Sequence, residues 1–327
     1  MHRGMNSFLC DFSGCLQLSN LLKIFLMKKW SWGLVMILSA FSSLAQNKNS
    51  VSNTLLWQIS GNGLARPSYL FGTIHMLCAD DAVLSYGLKN AIAKSDQVYF
   101  EVDMDNLFEL IGTMTHLKMR GDTTLADLMS ENDYKKVKAY FETKSSLIPF
   151  SMLETFKPFL AVSTVMETGI NCQSVAMEQI IMQQAKEDRK SIKGLETMAY
   201  QMSIFDSIPY KVQAEQLVQY IDSAGKGNDD NKEYEDLVTA YKNQDLNKLE
   251  ELTKQGDMGM ANYSDLLLYN RNRKWVMKLK TLMTQKSLVI AVGAGHLPGE
   301  NGVINLLRKA GYTLTPMDNK TKKFVEI

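Results

Sequence analysis

The sequence predicts an α/β (α+β) fold: a central mixed β-sheet built from N- and C-terminal strands, with a large helical insertion between them. Three observations carry that prediction. Short runs rich in β-branched, aromatic and other apolar residues stand at 55–59, 69–74 and 97–103, and a buried-type run, 287–292, stands near the other end. From about 106 to 285 no strong strand run interrupts a series of helical patterns. Strands at both ends with helices between them describe one sheet whose middle carries the insertion.

Taken in order, the runs at 55–59 and 69–74 are separated by Gly61-Asn62-Gly63 and Arg66-Pro67, the punctuation of a β-hairpin with a longer loop. Leu84, Leu88 and Ile92 then repeat at helical spacing and give a helix over about 84–94. The stretch 97–103 reads as a strand that points Glu101 out of its C-terminal end, with Asp103 on the same strand face. Helices follow at about 106–119, 131–143, 152–168, 175–188, 209–222, 233–243, 246–255 and 263–285. The charged stretch 222–236, with Gly225 and Gly227, reads as a mobile loop. Methionines such as Met119, Met166 and Met182 read as adaptable core filling. After the strand at 287–292 come a glycine-rich turn, a helix over 302–309, and one or two closing strands at 312–317 and 323–327.

A chain of 327 residues, 45% hydrophobic and 22% charged, can bury a sizeable core and is neither disordered nor collagen-like. With 36 Lys+Arg against 35 Asp+Glu and no basic block, it is not a dedicated nucleic-acid binder. Four cysteines without a Cys-x-x-Cys pair are too few for a disulfide scaffold.

From Met27 the sequence reads as a secretory signal: Lys28-Lys29, an apolar run from Trp30 to Leu44, and small residues at Ser43 and Ala45. The expected organisation is therefore 1–26 as an overcalled start, 27–45 as the signal peptide and 46–327 as one domain, its helical insertion spanning about 106–285. The apolar run is shorter than the roughly 20 residues that span a bilayer. Membrane contact is thus expected only transiently, through the signal peptide, and the protein is expected to be exported, periplasmic or secreted, with an uncleaved signal anchor as the lesser alternative. Removing 1–45 takes away Arg3, Lys23, Lys28 and Lys29 against Asp11 and tips the balance slightly acidic. It leaves Cys78 and Cys172, and His75, His116 and His296. Export permits a Cys78–Cys172 bridge without requiring one; two free buried thiols are the other reading. No sequence feature signals an oligomeric state.

Two of those three histidines share one setting. Gly72-Thr73-Ile74-His75 ends the second hairpin strand, and Gly293-Ala294-Gly295-His296 ends the buried C-terminal strand. Glycine three positions before each histidine removes a Cβ where the backbone turns or a neighbour approaches. Both imidazoles then project from the mouth of one sheet. Glu101 adds a carboxylate to the same edge. Two neutral imidazoles and a carboxylate suit a divalent transition metal with positions left open, and such a metal activates water for hydrolysis. Asp103 is then a candidate base or orienting group. The plain alternative for each residue is a polar group satisfied at the sheet edge. Cys78 is a weaker candidate for a fourth ligand, and His116, on a helix, reads as a surface or core residue. No dinucleotide fingerprint, Gly-x-Ser-x-Gly elbow, His-Glu-x-x-His helix or phosphate loop is present.

The phrases Ser68-Tyr69-Leu70-Phe71-Gly72-Thr73-Ile74-His75, Tyr99-Phe100-Glu101-Val102-Asp103, Gly194-Leu195-Glu196-Thr197 and Val292-Gly293-Ala294-Gly295-His296-Leu297-Pro298-Gly299 resemble the TraB/GumN family, which includes the Tiki metalloproteases. The resemblance runs from about Leu55 to Met317. It implies a metal-dependent hydrolase, peptidase-like, with His75, Glu101 and His296 as ligands of Mn, Co or Zn and a peptide or protein as substrate. Arg271-Asn272-Arg273 with Trp275 is similar to a helix segment of the family. Arginines there can hold a substrate carboxylate or stabilise an oxyanion, a solvated helix face beside Lys274, Lys278 and Lys280 being the plain alternative, while the neutral amide of Asn272 suits support of a metal ligand. Glu196 is a further acid there, or a carboxylate favoured at a helix N-terminus. Met177-Glu178 departs from the family pattern of a small apolar residue and Asp, so a polar contact made there has a longer arm. Related folds bind haem in ChaN-like proteins and act on non-peptide esters in erythromycin esterases. A haem- or metal-binding protein without turnover and an esterase therefore stand as the alternatives.

Overall fold

The computed structural model describes residues 53–144, 148–224, 232–255 and 261–321. The expected overcalled start and signal peptide, residues 225–231 of the expected loop and the closing strand at 323–327 lie outside the described residues.

The fold is mixed α/β. Its strands are β1 (Leu56–Ser60), β2 (Ser68–Thr73), β3 (Leu77–Cys78), β4 (Gln97–Phe100), β5 (Ser174–Val175), β6 (Ser191–Gly194), β7 (Leu288–Gly293) and β8 (Thr313–Pro316). Six of them form one sheet in the order β6-β4-β7-β2-β1-β8, and β3 pairs with β5 in a separate two-stranded ladder. Strands β6, β4, β7 and β2 run parallel, and β1 is antiparallel to both β2 and β8. Every residue of β2 and the first five of β7 are buried. That is why both read as continuous apolar runs rather than alternating ones: helices cover both sheet faces. Truncating a fully buried residue such as Ile290 to Ala would cost ~2–5 kcal/mol.

The helices that matter below are α1 (Tyr86–Lys94), α2 (Leu107–Thr113), α3 (Glu131–Thr143), α4 (Pro158–Thr168), α5 (Met177–Glu187), α6 (Met198–Phe205), α7 (Tyr210–Ala224), α8 (Lys232–Lys242), α9 (Leu246–Gln255), α10 (Asn270–Gln285) and α11 (Val303–Lys309). Helix α1 starts where the Ser85 side chain accepts from the Leu88 amide, and it buries Leu88, Ala91 and Ile92 on the sheet. A second, smaller apolar cluster, centred on Val137, Phe141, Val165 and Leu217, joins α3, α4 and α7 away from the sheet.

Three expectations need correction. The insertion is not free of strands: β6 lies within it and pairs in parallel with β4. Only Ile192 of its four residues is buried, so it carries no apolar run for the eye to find. The helix expected over 152–168 is two helices, Phe150–Leu153 and α4, because Pro158 lacks the N–H a continuous helix needs and instead opens α4. The third correction concerns the thiols: Cys78 and Cys172 form a disulfide, so Cys78 is not a metal ligand.

Candidate active site

The four parallel strands end level with one another. Phe100 of β4 sits beside Gly194 of β6 and Ala291 of β7, and Thr73 of β2 sits beside Gly293 of β7. Each strand then delivers a titratable side chain just past its carboxyl end: Glu196 after β6, Glu101 after β4, His296 after β7 and His75 after β2. This is the edge where open α/β sheets place their sites. The two motif glycines are there for close approach. A Cβ on Gly72 would lie 3.1 Å from the Ala294 Cα, and one on Gly293 would lie 3.3 Å from Glu101 Oε1.

His296 is buried and fully held. Its Nδ1 lies 2.6 Å from Asn272 Oδ1, and the Asn272 amide nitrogen donates to the Asn301 carbonyl at 2.9 Å and the His296 carbonyl at 3.4 Å. That anchoring leaves the Asn272 oxygen as acceptor, so Nδ1 carries the imidazole proton and Nε2 presents a lone pair. Nε2 faces Arg271 Nη1 at 3.3 Å and Glu101 Oε1 at 3.6 Å, and the Trp275 ring lies against the imidazole at 4.5 Å between centroids. Burial, with the Arg271 and His75 charges behind it, outweighs Glu101 and pushes the His296 pKa down to about 3, so the ring is neutral.

Glu101 is ionised beside it. Burial opposes its charge, but His296, Arg271 and His75 nearby and the Gly293 N–H, 2.9 Å from Oε1, bring it down to about 2. Its Oε2 accepts from Arg271 Nη2 at 2.5 Å and from Gln201 of α6 at 2.9 Å. Arg271 bridges two carboxylates, since its Nε and Nη2 also donate to Glu196 Oε1 at 2.9 and 2.6 Å. Glu196 Oε2 accepts from Trp275 Nε1 at 3.0 Å. A π-helical turn, Asp265–Tyr269, precedes α10, and its Leu267 carbonyl accepts from Arg271 Nη1.

His75 is held by a different partner. Its side chain is 69% exposed, and Nδ1 lies 3.0 Å from Oε1 of the buried Glu178 at the start of α5. The same carboxylate oxygen accepts from the Thr73 hydroxyl at 2.5 Å, while Oε2 has no hydrogen-bond partner. The bond from Glu178, with the Glu178 and Glu101 charges, raises the His75 pKa to about 9 against the Arg271 charge, so this ring is an imidazolium at neutral pH. Burial opposes the Glu178 charge as well, but the His75 contact overrides it and keeps the pKa low.

The structure thus brings Glu101, His296, Arg271 and Asn272 together. It does not bring in Asp103 or Arg273. Strand β4 ends at Phe100, before Asp103, so the shared strand face is lost; the Asp103 carboxylate accepts from the Asp105 amide in its own turn. Arg273 points to solvent, bonded to Asn270 and near Asp265. His116 is exposed on a short 3₁₀ turn. Glu178 is the member that the sequence flagged only as a departure.

Among the described residues, no three His, Cys, Asp or Glu side chains converge closely enough to cage a metal. The expected ligand set is present as the pair Glu101–His296, with His75 turned to Glu178. The donor chemistry nonetheless fits a divalent cation: an imidazole lone pair on a fixed tautomer, an ionised carboxylate, and an orphaned buried oxygen on Glu178.

Fold and site together define an α/β protein with two Gly-x-x-His turns and a buried Arg–carboxylate cluster at the carboxyl edge of its parallel strands. The TraB/PrgY/gumN family model matches residues 55–316, and the chain belongs to that family. It is 24% identical to the Metalloprotease TIKI1 of Xenopus tropicalis, over 81% of this chain and 62% of that protein. It is 23% identical to the Metalloprotease TIKI homolog of Amphimedon queenslandica, over 86% and 64%, and 23% identical to the Metalloprotease TIKI1 of Homo sapiens, over 88% and 69%. The chain thus spans a little over three-fifths of the length of the first two relatives. No solved structure matches it.

Proposed function

We propose that the protein is an exported, metal-dependent hydrolase acting on peptides, with His75, Glu101 and His296 holding a divalent ion of the Mn, Co or Zn type. The observation that carries this reading is the pairing of a neutral His296, its Nε2 lone pair fixed by Asn272, with the ionised Glu101 carboxylate 3.6 Å away. Relatives named metalloproteases support the reaction class. When bound, a divalent cation supplies polarisation of a carbonyl and activation of water.

The protein's own residues do the rest. Glu178 keeps a proton on His75 Nδ1, which leaves Nε2 as the atom that ligates or exchanges a proton, just as Asn272 does for His296. Arg271 pairs with Glu196, helps keep Glu101 ionised and presents a guanidinium beside the reacting edge, where it can hold a carboxylate or a developing oxyanion. Asp103 and Arg273 have no part in the proposal, given where their side chains lie. The Cys78–Cys172 disulfide supports export, because such bonds persist in oxidising compartments. No helix among the described residues is long and apolar enough to cross a membrane.

The test is a peptide-library cleavage screen on chelator-stripped protein with and without added Mn²⁺, Co²⁺ or Zn²⁺. His75→Ala and His296→Ala are expected to abolish the metal-restored turnover with the fold intact by circular dichroism. Full activity in both variants would sink the assignment.

A further inference from the structure

We propose that the Cys78–Cys172 disulfide is an exchangeable redox latch on the His75 side of the site, opened by a dithiol reductant that reaches it through the adjoining cavity. The inference rests on the hydrolase reading and names a regulation of that site. His75 and Glu178 come from segments far apart in sequence, and the bridge spans a separation of 94 residues. Cys78 lies in β3, three residues after His75, and Cys172 stands just before β5, six residues ahead of Glu178. Between them, Met177 N donates to the Ile74 carbonyl at 3.0 Å and Ala79 N to the Gln173 carbonyl at 2.8 Å. The β3–β5 ladder adds the pairs Leu77–Val175 and Cys78–Ser174. A ladder of two residues a side, standing apart from the main sheet, holds little on its own. The covalent bond is therefore the strong member of the lacing that sets His75 against Glu178. The His296 side has no such dependence, since Asn272 and Arg271 sit on α10 and Glu101 directly follows β4 of the six-stranded sheet.

The bridge is also reachable. It lines an open cavity of about 530 Å³ whose other walls include Ile170, Asn171, Tyr234 and Val238. Cys172 is exposed, and the Tyr234 hydroxyl reaches the Met76 carbonyl at 3.5 Å, so the cavity abuts the residue after His75. Exposed disulfides are the labile ones. In the exchange, a thiolate of the reductant attacks Cys172 Sγ, the Sγ–Sγ bond breaks, and the electron pair leaves on Cys78 Sγ, which takes a proton. The reductant's second thiolate then attacks the mixed disulfide and frees Cys172, which is protonated in turn. Two electrons and two protons pass from the dithiol, which ends as a disulfide.

The experiment treats the exported chain with dithiothreitol in the absence of denaturant. Peptide mapping after alkylation locates the freed thiols, and hydrogen exchange and Mn²⁺-dependent peptide cleavage are followed in parallel. The expected result is alkylation of both Cys78 and Cys172 and faster exchange confined to 74–79 and 172–178, with β7 unchanged. Cleavage is expected to fall about tenfold or more, by analogy with lost support of a metal ligand, and to return on reoxidation. A Cys78→Ser, Cys172→Ser double variant should match the reduced protein in exchange pattern. Bridging that resists reduction until denaturant is added overturns the proposal, as does reduction with unchanged exchange at 74–79. Loss of protection across β7 also overturns it, because the bond is then a staple of the whole fold. If no peptide is cleaved in either redox state, the hydrolase reading fails while alkylation and exchange still decide the latch.

Discussion

The two Gly-x-x-His turns lie on adjacent parallel strands and hold their histidines in the same way, through Nδ1, yet they leave the two rings in opposite charge states. His296 is buried and anchored by a neutral carboxamide, and its pKa is pushed down to about 3. His75 is largely exposed and anchored by a carboxylate, and its pKa is raised to about 9. One motif thus yields one ring ready to ligate and one that must first lose a proton. The difference resides in the partner residue, Asn272 or Glu178, and in burial, neither of which is part of the motif.

The sharpest way to break the His296 half is Arg271→Met. Arg271 is the guanidinium between Glu101 and Glu196, and all three side chains are at most 12% exposed. Removing it leaves two buried carboxylates uncompensated, and unfolding in urea at pH 7.5 should show a loss of ~3–5 kcal/mol. The loss should shrink toward pH 5 as a carboxylate takes up a proton. An equal loss at both pH values would show that packing against Trp275, not charge, is what Arg271 contributes.

The comparison also predicts an asymmetric pH dependence of stability. The folded pKa of His296 lies below its unfolded value of 6.5, so its neutral burial stabilises fully above pH 6.5 and that contribution is lost as pH falls toward 3. Glu101 adds a second loss on the acid side, present above about 4.5 and gone as pH falls through about 2. The His75 pKa is raised, so its contribution is full below 6.5 and lost as pH rises through about 9; exposure keeps it small. Urea midpoints should fall steeply on the acid limb and only slightly on the alkaline one. His296→Gln should flatten the limb between pH 6.5 and 5; an unchanged limb would remove His296 as its source.

Much of this arrangement was legible in the sequence, and the parts that were not share a cause. Strands β1, β2, β4 and β7 announce themselves because each is a run of β-branched, aromatic or other apolar residues, and His75, Glu101 and His296 follow as the polar residues at their ends. Helix α10 carries Arg271, Asn272 and Trp275 in one recognisable segment. Strand β6 hid because an edge strand with one buried residue has no period to detect. The Glu178–His75 pair hid, and the Cys78–Cys172 bond could stand only as one of two readings, because contacts between segments so distant in sequence leave no spacing signal. Glu178 did leave one trace: it shares the buried face of α5 with Ile181 and Ala185, and a lone carboxylate on an apolar stripe needs a partner.

Glu178→Gln converts the His75 anchor into the kind His296 has, and so sharpens the comparison directly. In the native protein at pH 7.5, binding of Mn²⁺ should release about one proton, from His75, and none from His296. Calorimetry in buffers of differing ionisation enthalpy measures that release. In Glu178→Gln the His75 pKa should drop toward 6.5 by NMR titration, the proton release should largely vanish, and metal affinity should fall roughly 10- to 100-fold with the loss of the supporting carboxylate. Unchanged proton release would mean that His75 does not take part in binding.

The smallest expected effect tests the boundary of the site. Arg271, Asn272 and Arg273 are consecutive, and the sequence offers no reason to separate them; the helix does. At 100° per residue, α10 turns Arg271, Asn272 and Trp275 inward and leaves Arg273 with its neighbours Asn270 and Asp265 at the surface. An exposed pair of this kind is worth little, so Arg273→Ala should shift stability by no more than about 0.5 kcal/mol and leave metal-dependent turnover within about twofold. A loss of turnover with unchanged KM would mean that Arg273 swings inward to the reacting groups. A rise in KM alone would place it on the path of a substrate carboxylate approaching the edge where His296 and Glu101 meet.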